Sequence, residues 1–116
     1  MKGFVDWIKT PNKEDQRPYG GRYVGSLVSD VHRNLLYGGI YLYPKDKRSS
    51  TGKLRLLYEC APLSFILEQA GGLGSTGEAN VLDIVPKDIH ERIPLIIGNK
   101  KDVLIAEEFL QGKRTK

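Results

Sequence analysis

Two helix-length stretches in this chain each end at a pair of glycines, and this feature constrains the fold more than any other. Residues 26–37 carry apolar side chains at helical spacing and are followed by Gly38-Gly39. Residues 62–70 do the same and are followed by Gly71-Gly72. Glycine readily adopts the left-handed backbone conformation in which helices commonly end. The pattern therefore predicts two helices with defined ends.

Short runs rich in β-branched, aliphatic and aromatic residues lie between and after these helices. They predict strands at Ile40–Tyr43, Leu54–Tyr58, Val81–Val85 and Leu95–Ile97, and Asn99 is predicted to cap a last helix. Strands that alternate with helices are typical of layered α/β folds. We therefore predict an α/β class, with a mixed sheet flanked by helices.

The predicted domain organisation is one folded unit with two polar ends. Residues 1–17 are expected to be a linker or the start of an expressed fragment, residues 18–112 the domain, and residues 113–116 a basic tail. Cys60 has apolar neighbours, which favours a buried, reduced thiol in a cytoplasmic protein. The net charge of +4 indicates an anionic partner without separating nucleic acid from a phosphorylated metabolite.

Hydroxyl, ammonium and carboxylate groups fall near the ends of two predicted strands. Strand parity places Lys53 and Glu59 on one face if the second strand extends to Glu59, and Tyr43 ends the preceding strand. Ligands gather at the carboxyl ends of strands in α/β sheets. Tyrosine and lysine suit phosphate and sugar oxygens, and a carboxylate suits a divalent metal or a sugar hydroxyl. The alternative is that these are ordinary rim residues, with a glutamate favoured before a helix.

The other titratable groups indicate no further catalytic site. Asp30 and His32 are two positions apart on the first predicted helix and so point to different faces. We predict a solvated acid at Asp30, a helix-packing histidine at His32, and a surface helix position for His90. No nucleotide-binding glycine loop, zinc motif or serine-nucleophile motif occurs in the sequence.

Three segments, in order, resemble class I fructose-1,6-bisphosphatases. They are RYVGSLVSDVHRNLLYGGIYLYP (22–44), GKLRLLYECAPLSFILEQAGG (52–72) and STGEANVLDIVPKDIHERIPLIIGN (75–99). The resemblance implies the C-terminal half of the layered sugar-phosphatase fold. It also implies part of a gluconeogenic enzyme that hydrolyses the 1-phosphate of fructose 1,6-bisphosphate to give fructose 6-phosphate.

The resemblance also assigns roles to particular residues. The substrate-binding positions that it implies are Arg22, Tyr23, Ser26, Leu27, Tyr43 and Lys53. The tyrosines and Arg22 would hold the 6-phosphate, with Arg22 acting across a subunit interface of a homo-oligomer. Lys53 would contact the sugar and its phosphate, and the backbone near Leu27 would line the sugar ring. Glu59 would be a ligand of the catalytic Mg²⁺.

One departure from the family pattern limits what this chain is expected to do. The remaining acidic metal ligands of the family lie upstream of the matching region, so no catalytic residue is predicted here and the chain is expected to be inactive alone. The alternatives are a non-catalytic phosphosugar-binding or regulatory module and the same part of a sedoheptulose-1,7-bisphosphatase. Neither a nucleic-acid nor a membrane partner is expected.

Overall fold

The computed structural model describes residues 1–45 and 51–114, in which helices and two small sheets form a layered fold. The helices are α1 (Lys2–Lys9), α2 (Leu27–Tyr37), α3 (Ala61–Gln69) and α4 (Lys100–Leu110). The strands are β1 (Ile40–Tyr43), β2 (Leu54–Arg55), β3 (Gly72–Ser75), β4 (Arg92–Ile93) and β5 (Leu95–Asn99). A π-helical turn spans Leu56–Cys60, and a 3₁₀ turn spans Val81–Asp83.

The main sheet has the order β1-β5-β3, and β2 pairs with β4 in a second sheet. Every strand pair in residues 1–45 and 51–114 is antiparallel. The α/β class is confirmed, and helices flank the main sheet on both faces, but the described strand pairs are antiparallel rather than mixed. The rule that ligands gather at the carboxyl ends of parallel strands does not apply to antiparallel pairs.

The continuous apolar run of β5 is explained by its burial on both faces. Leu95 and Ile97 point into one hydrophobic cluster and Ile96 into another, as alternation along a strand requires. The first cluster receives side chains from α2 and α3, and the second from α1 and α4. Two cores thus lie on opposite faces of one sheet.

Residues 1–17 were expected to be a linker, but they contain a helix that contributes to the second core. Phe4 of α1 is fully buried, with its ring centroid 6.0 Å from that of Trp7 and 6.2 Å from that of Phe109. The Arg17 guanidinium lies 4.0 Å from the centroid of the Trp7 ring. An isolated helix this short is marginal in water, so its stability comes from packing that local sequence does not show.

Two predicted strands are wrong in whole or in part. The strand predicted over Leu54–Tyr58 ends at Arg55, because the chain then enters the π-helical turn that leads into α3. The strand predicted over Val81–Val85 is instead a 3₁₀ turn, in which the Asn80 side chain accepts a hydrogen bond from the N–H of Leu82. Such local side-chain bonds offer the backbone an alternative to a strand.

The glycine-rich strand β3 was not predicted, because glycine and serine have low strand propensity. Gly74 occurs there because α3 approaches closely: a Cβ at this position would collide with the Ser64 side chain. The buried thiol at Cys60 is confirmed, since this residue is fully buried. His32 is exposed rather than packed, and His90 is exposed in a loop rather than in a helix. No helix in the described ranges is long and apolar enough to cross a membrane.

Candidate functional site

Two of the predicted phosphate-binding residues, Arg22 and Tyr23, lie in the segment that leads into α2. Both side chains are exposed, Tyr23 to 74%. The segment is tied to the helix by Asp30, whose Oδ1 accepts a hydrogen bond of 3.0 Å from the N–H of Val24. The exposed side chains therefore project from a backbone that is held in place.

Asp30 is not the solvated acid that we predicted, because its side chain is fully buried. The Arg33 guanidinium pairs with Asp30 Oδ1 at 2.9 Å, one helical turn along. Burial by itself would raise the pKa of Asp30, but the Val24 N–H and the Arg33 charge hold it below the usual value. No local pattern signals this burial, because it depends on the contact between Asp30 and the segment that precedes α2.

The segment before Arg22 is also anchored. The Tyr19 hydroxyl donates a 2.9 Å hydrogen bond to Oδ1 of the buried Asp102 in α4. The backbone N–H of Tyr19 donates a hydrogen bond to the carbonyl of Ile8. Burial and then the Asp102 hydrogen bond raise the pKa of Tyr19 to about 12. These contacts fix the chain three residues before Arg22.

Tyr43 lies on the same face of β1 as Tyr41, with ring centroids 6.3 Å apart. Burial raises the pKa of Tyr41 to about 12, with smaller effects from the nearby Tyr23, Asp30 and Tyr43. Tyr41 and Tyr43 thus form a stacked pair on this face of β1. Leu27 and Tyr43 both pack against the first core, which Tyr41 belongs to. The structure thus brings Leu27 and Tyr43 to one side of the main sheet.

Ser26 is the exposed residue that precedes α2, and its carbonyl accepts the N–H of Asp30 at 3.0 Å. Its backbone therefore lies between the Tyr23 segment and the helix. This position is compatible with the backbone role that the resemblance implies for Ser26 and Leu27.

Lys53 and Glu59 are linked through Arg55 rather than by strand parity. Glu59 Oε1 accepts the N–H of Arg55 at 2.9 Å, and the Lys53 carbonyl accepts Nη1 of Arg55 at 2.9 Å. Glu59 does not share a strand face with Lys53, because the strand ends at Arg55 and Glu59 lies on the π-helical turn. Glu59 reaches back to the start of that turn in the manner of a capping residue.

Glu59 also connects this turn to the first core. Burial, and then the Glu59 charge, raise the pKa of the adjacent Cys60 thiol to about 12. Cys60 and Leu56 pack in the same core cluster as Tyr41, and Tyr43 packs against that cluster. The Lys53–Glu59 turn and the tyrosines thus lie on the same side of the main sheet.

The described residues do not by themselves form a magnesium site. Within residues 1–45 and 51–114, no three His, Cys, Asp or Glu side chains are grouped so that they could hold a metal ion. Glu59 is a single half-buried carboxylate with one oxygen already hydrogen-bonded. Mg²⁺ requires near-octahedral oxygen coordination, to which one carboxylate contributes only a part.

Arg22 is not brought to the other predicted residues within this chain. Its Nη1 donates to the neighbouring carbonyl of Gly21, and no described contact joins it to Tyr43 or Lys53. Two cavities of about 480 and 290 Å³ in the described ranges lie elsewhere, and the predicted site residues line neither of them. The candidate site is therefore an open surface beside α2 and β1.

The chain is similar to a known protein family over most of its length. The family described as "Fructose-1-6-bisphosphatase, C-terminal domain" matches residues 1–111. A class 1 fructose-1,6-bisphosphatase of Chlorobaculum tepidum is 57% identical over 113 residues, which cover 97% of this chain and 34% of that protein. A chloroplastic fructose-1,6-bisphosphatase of Spinacia oleracea is 58% identical over 110 residues, 95% of this chain and 26% of that protein. The chain thus spans about a third of the length of such relatives, or less.

Proposed function

The chain belongs to the fructose-1,6-bisphosphatase C-terminal domain family, and from this premise we propose that it binds the 6-phosphate and sugar of fructose 1,6-bisphosphate within such an enzyme. The observation that carries the proposal is the stacked pair of Tyr41 and Tyr43 on β1, next to a segment that bears Tyr23 and is held by Asp30. The complete enzyme would hydrolyse the 1-phosphate and release fructose 6-phosphate for gluconeogenesis. This chain would hold the opposite end of the substrate.

The proposed contacts follow from the chemistry of the side chains. The hydroxyls of Tyr23 and Tyr43 can donate hydrogen bonds to phosphate oxygens, and the Lys53 ammonium supplies a positive charge. A hydrogen bond to a charged group contributes roughly 1.5–3 kcal/mol. The exposed, nearly unengaged guanidinium of Arg22 suits a phosphate held by a second copy, because a planar donor fork binds phosphate in a bidentate manner.

We propose that Glu59 supplies one ligand of Mg²⁺ in the complete enzyme, while the other ligands come from outside this chain. One carboxylate cannot hold the ion and also orient an attacking water. The chain alone is therefore expected to release no phosphate from fructose 1,6-bisphosphate when Mg²⁺ is added, and to equal a Glu59→Gln control in a phosphate-release assay. Release well above that control would contradict the assignment.

The proposal extends to assembly and location. A homo-oligomer is proposed, because Arg22 would complete the phosphate site of a neighbouring copy. A cytoplasmic location is proposed, with a plastid as the alternative that the chloroplastic relatives represent.

Calorimetric titration with fructose 6-phosphate tests the proposal, with unphosphorylated fructose as the reference ligand. We expect Tyr43→Phe and Lys53→Met each to raise the dissociation constant roughly tenfold or more, since about 1.4 kcal/mol corresponds to a factor of ten. Tyr37→Phe is the matched control, because Tyr37 is 85% exposed at the end of α2. Equal affinity for the two ligands, or equal loss in all three variants, would refute the proposal. Sedoheptulose 7-phosphate in the same titration tests the related substrate.

A further inference from the structure

We propose that Asp30 is a positioning residue for the phosphate site, holding the Arg22–Ser26 segment in the conformation that presents Tyr23 to the ligand and Arg22 to the ligand of a neighbouring copy. This inference rests on the proposed function, because it names the residue that sets the geometry of the same site. Asp30 touches no ligand in this account. It acts through the backbone of the segment.

The contacts of Asp30 converge on that segment. Its Oδ1 accepts the N–H of Val24, the residue directly after Tyr23, at 3.0 Å. The N–H of Gly25 also lies near the carboxylate and favours its ionised form. Gly25 has φ of +91°, a conformation that glycine adopts readily and other residues rarely do. A fixed hydrogen bond and a left-handed turn thus follow immediately after the proposed phosphate-binding tyrosine.

The charge of Asp30 is balanced inside the protein. The Arg33 guanidinium pairs with Oδ1 at 2.9 Å, so the buried carboxylate does not add net negative charge next to a bound phosphate. The same pair keeps the carboxylate ionised, and a charged acceptor binds a backbone N–H more strongly than a neutral one. The segment is therefore anchored without electrostatic repulsion of the ligand.

Packing alone does not explain a carboxylate at this position. The Asp30 side chain is fully buried, and its Oδ2 makes no hydrogen bond of good geometry within the described ranges. A buried acceptor without a partner is costly, and an apolar side chain would fill the space without that cost. What the carboxylate supplies and an apolar residue cannot is the bond to Val24.

The test compares Asp30→Ala with the conservative variant Asp30→Asn. Alanine removes the acceptor, and asparagine keeps an oxygen that can still accept the Val24 N–H. The control is Ser75→Ala, which removes a buried polar side chain on β3, at the opposite edge of the main sheet from β1. Hydrogen exchange of the Val24 amide is measured by NMR, and fructose 6-phosphate affinity by calorimetry.

We expect the Val24 amide to be protected in the unmodified chain and to lose protection in Asp30→Ala. The dissociation constant for fructose 6-phosphate should rise at least about tenfold in Asp30→Ala, recover in part in Asp30→Asn, and remain unchanged in Ser75→Ala. The inference is overturned by a Val24 amide that exchanges freely in the unmodified chain. It is also overturned if Asp30→Asn binds fructose 6-phosphate as weakly as Asp30→Ala does. A third contrary result is that Asp30→Ala binds fructose 6-phosphate as tightly as Ser75→Ala does.

The two proposals fail in different ways. If the unmodified chain binds fructose 6-phosphate no better than fructose, the proposed function fails. The exchange of the Val24 amide still decides whether Asp30 holds the segment, because that measurement needs no ligand.

Discussion

Replacing Phe4 by alanine tests whether the first nine residues are part of the fold. Phe4 is fully buried, and its ring packs against those of Trp7 and Phe109. Truncating a buried phenylalanine to alanine costs about 3–5 kcal/mol, from lost apolar transfer and the cavity left behind. A domain of this kind has a free energy of unfolding of only about 5–15 kcal/mol, so the loss is a large fraction of the total. The same truncation in a solvated linker would leave the free energy of unfolding almost unchanged.

The assay is urea unfolding followed by circular dichroism, with Phe65→Ala as the matched control. Phe65 carries the same side chain but is 57% exposed on α3. With a denaturant slope of roughly 1–3 kcal/mol per M, Phe4→Ala should lower the unfolding midpoint by more than about 1 M. The control should change the free energy of unfolding by less than about 1 kcal/mol. Two equally small effects would refute the assignment of α1 to the core.

Two further predictions concern pH and self-association. The folded state raises the pKa values of Cys60, Tyr19 and Tyr41 to about 12. As the pH rises, the unfolded chain therefore loses these protons before the folded chain does. The free energy of unfolding should consequently fall above about pH 9. Urea unfolding at pH 8 and pH 10.5 measures this decrease in the free energy of unfolding, which should be smaller in Cys60→Ala. An equal decrease in Cys60→Ala would exclude the thiol as a contributor. Large apolar side chains of α2 and α3 are exposed, so light scattering should give a mass above that of one chain, which Leu36→Glu with Ile66→Glu should lower. A monomer before substitution would contradict this.

Features encoded by local sequence were predicted well. The ends of α2 and α3 follow from the glycine pairs after them, whose backbone conformation needs no tertiary contact. The strand Ile40–Tyr43 and the helix after Asn99 also follow from local pattern. These signals operate within a few residues of the element that they specify.

Features that depend on distant contacts were missed. The burial of Asp30 depends on how the preceding segment folds back over α2, which no helical pattern reveals. The strand β2 pairs with the distant strand β4 and ends at Arg55, where the chain enters the π-helical turn. Glu59 therefore lies on a turn rather than on the strand face expected for it.

In the candidate site, too, the residue types could be predicted from the sequence but their positions could not. The residue types at Tyr43 and Lys53 indicate a phosphate ligand, but only the structure shows that the rings of Tyr41 and Tyr43 stack and that Asp30 holds the segment before α2. No described contact joins Arg22 to Tyr43 or Lys53, so its role in the phosphate site rests on the proposed assembly. The chemical groups of the candidate site can be named from the sequence, whereas their relative positions depend on long-range packing.

The most direct test of the account is an NMR titration of the chain with fructose 6-phosphate, in which the shift of every assigned backbone amide is followed. The account predicts saturable shifts concentrated at residues 22–27, Tyr43 and Lys53, on the side of the main sheet that carries Tyr41. Shifts concentrated instead at Lys100, Lys101 and the basic C-terminal residues would indicate charge attraction without a site. That result would contradict the claim that this surface recognises a sugar phosphate.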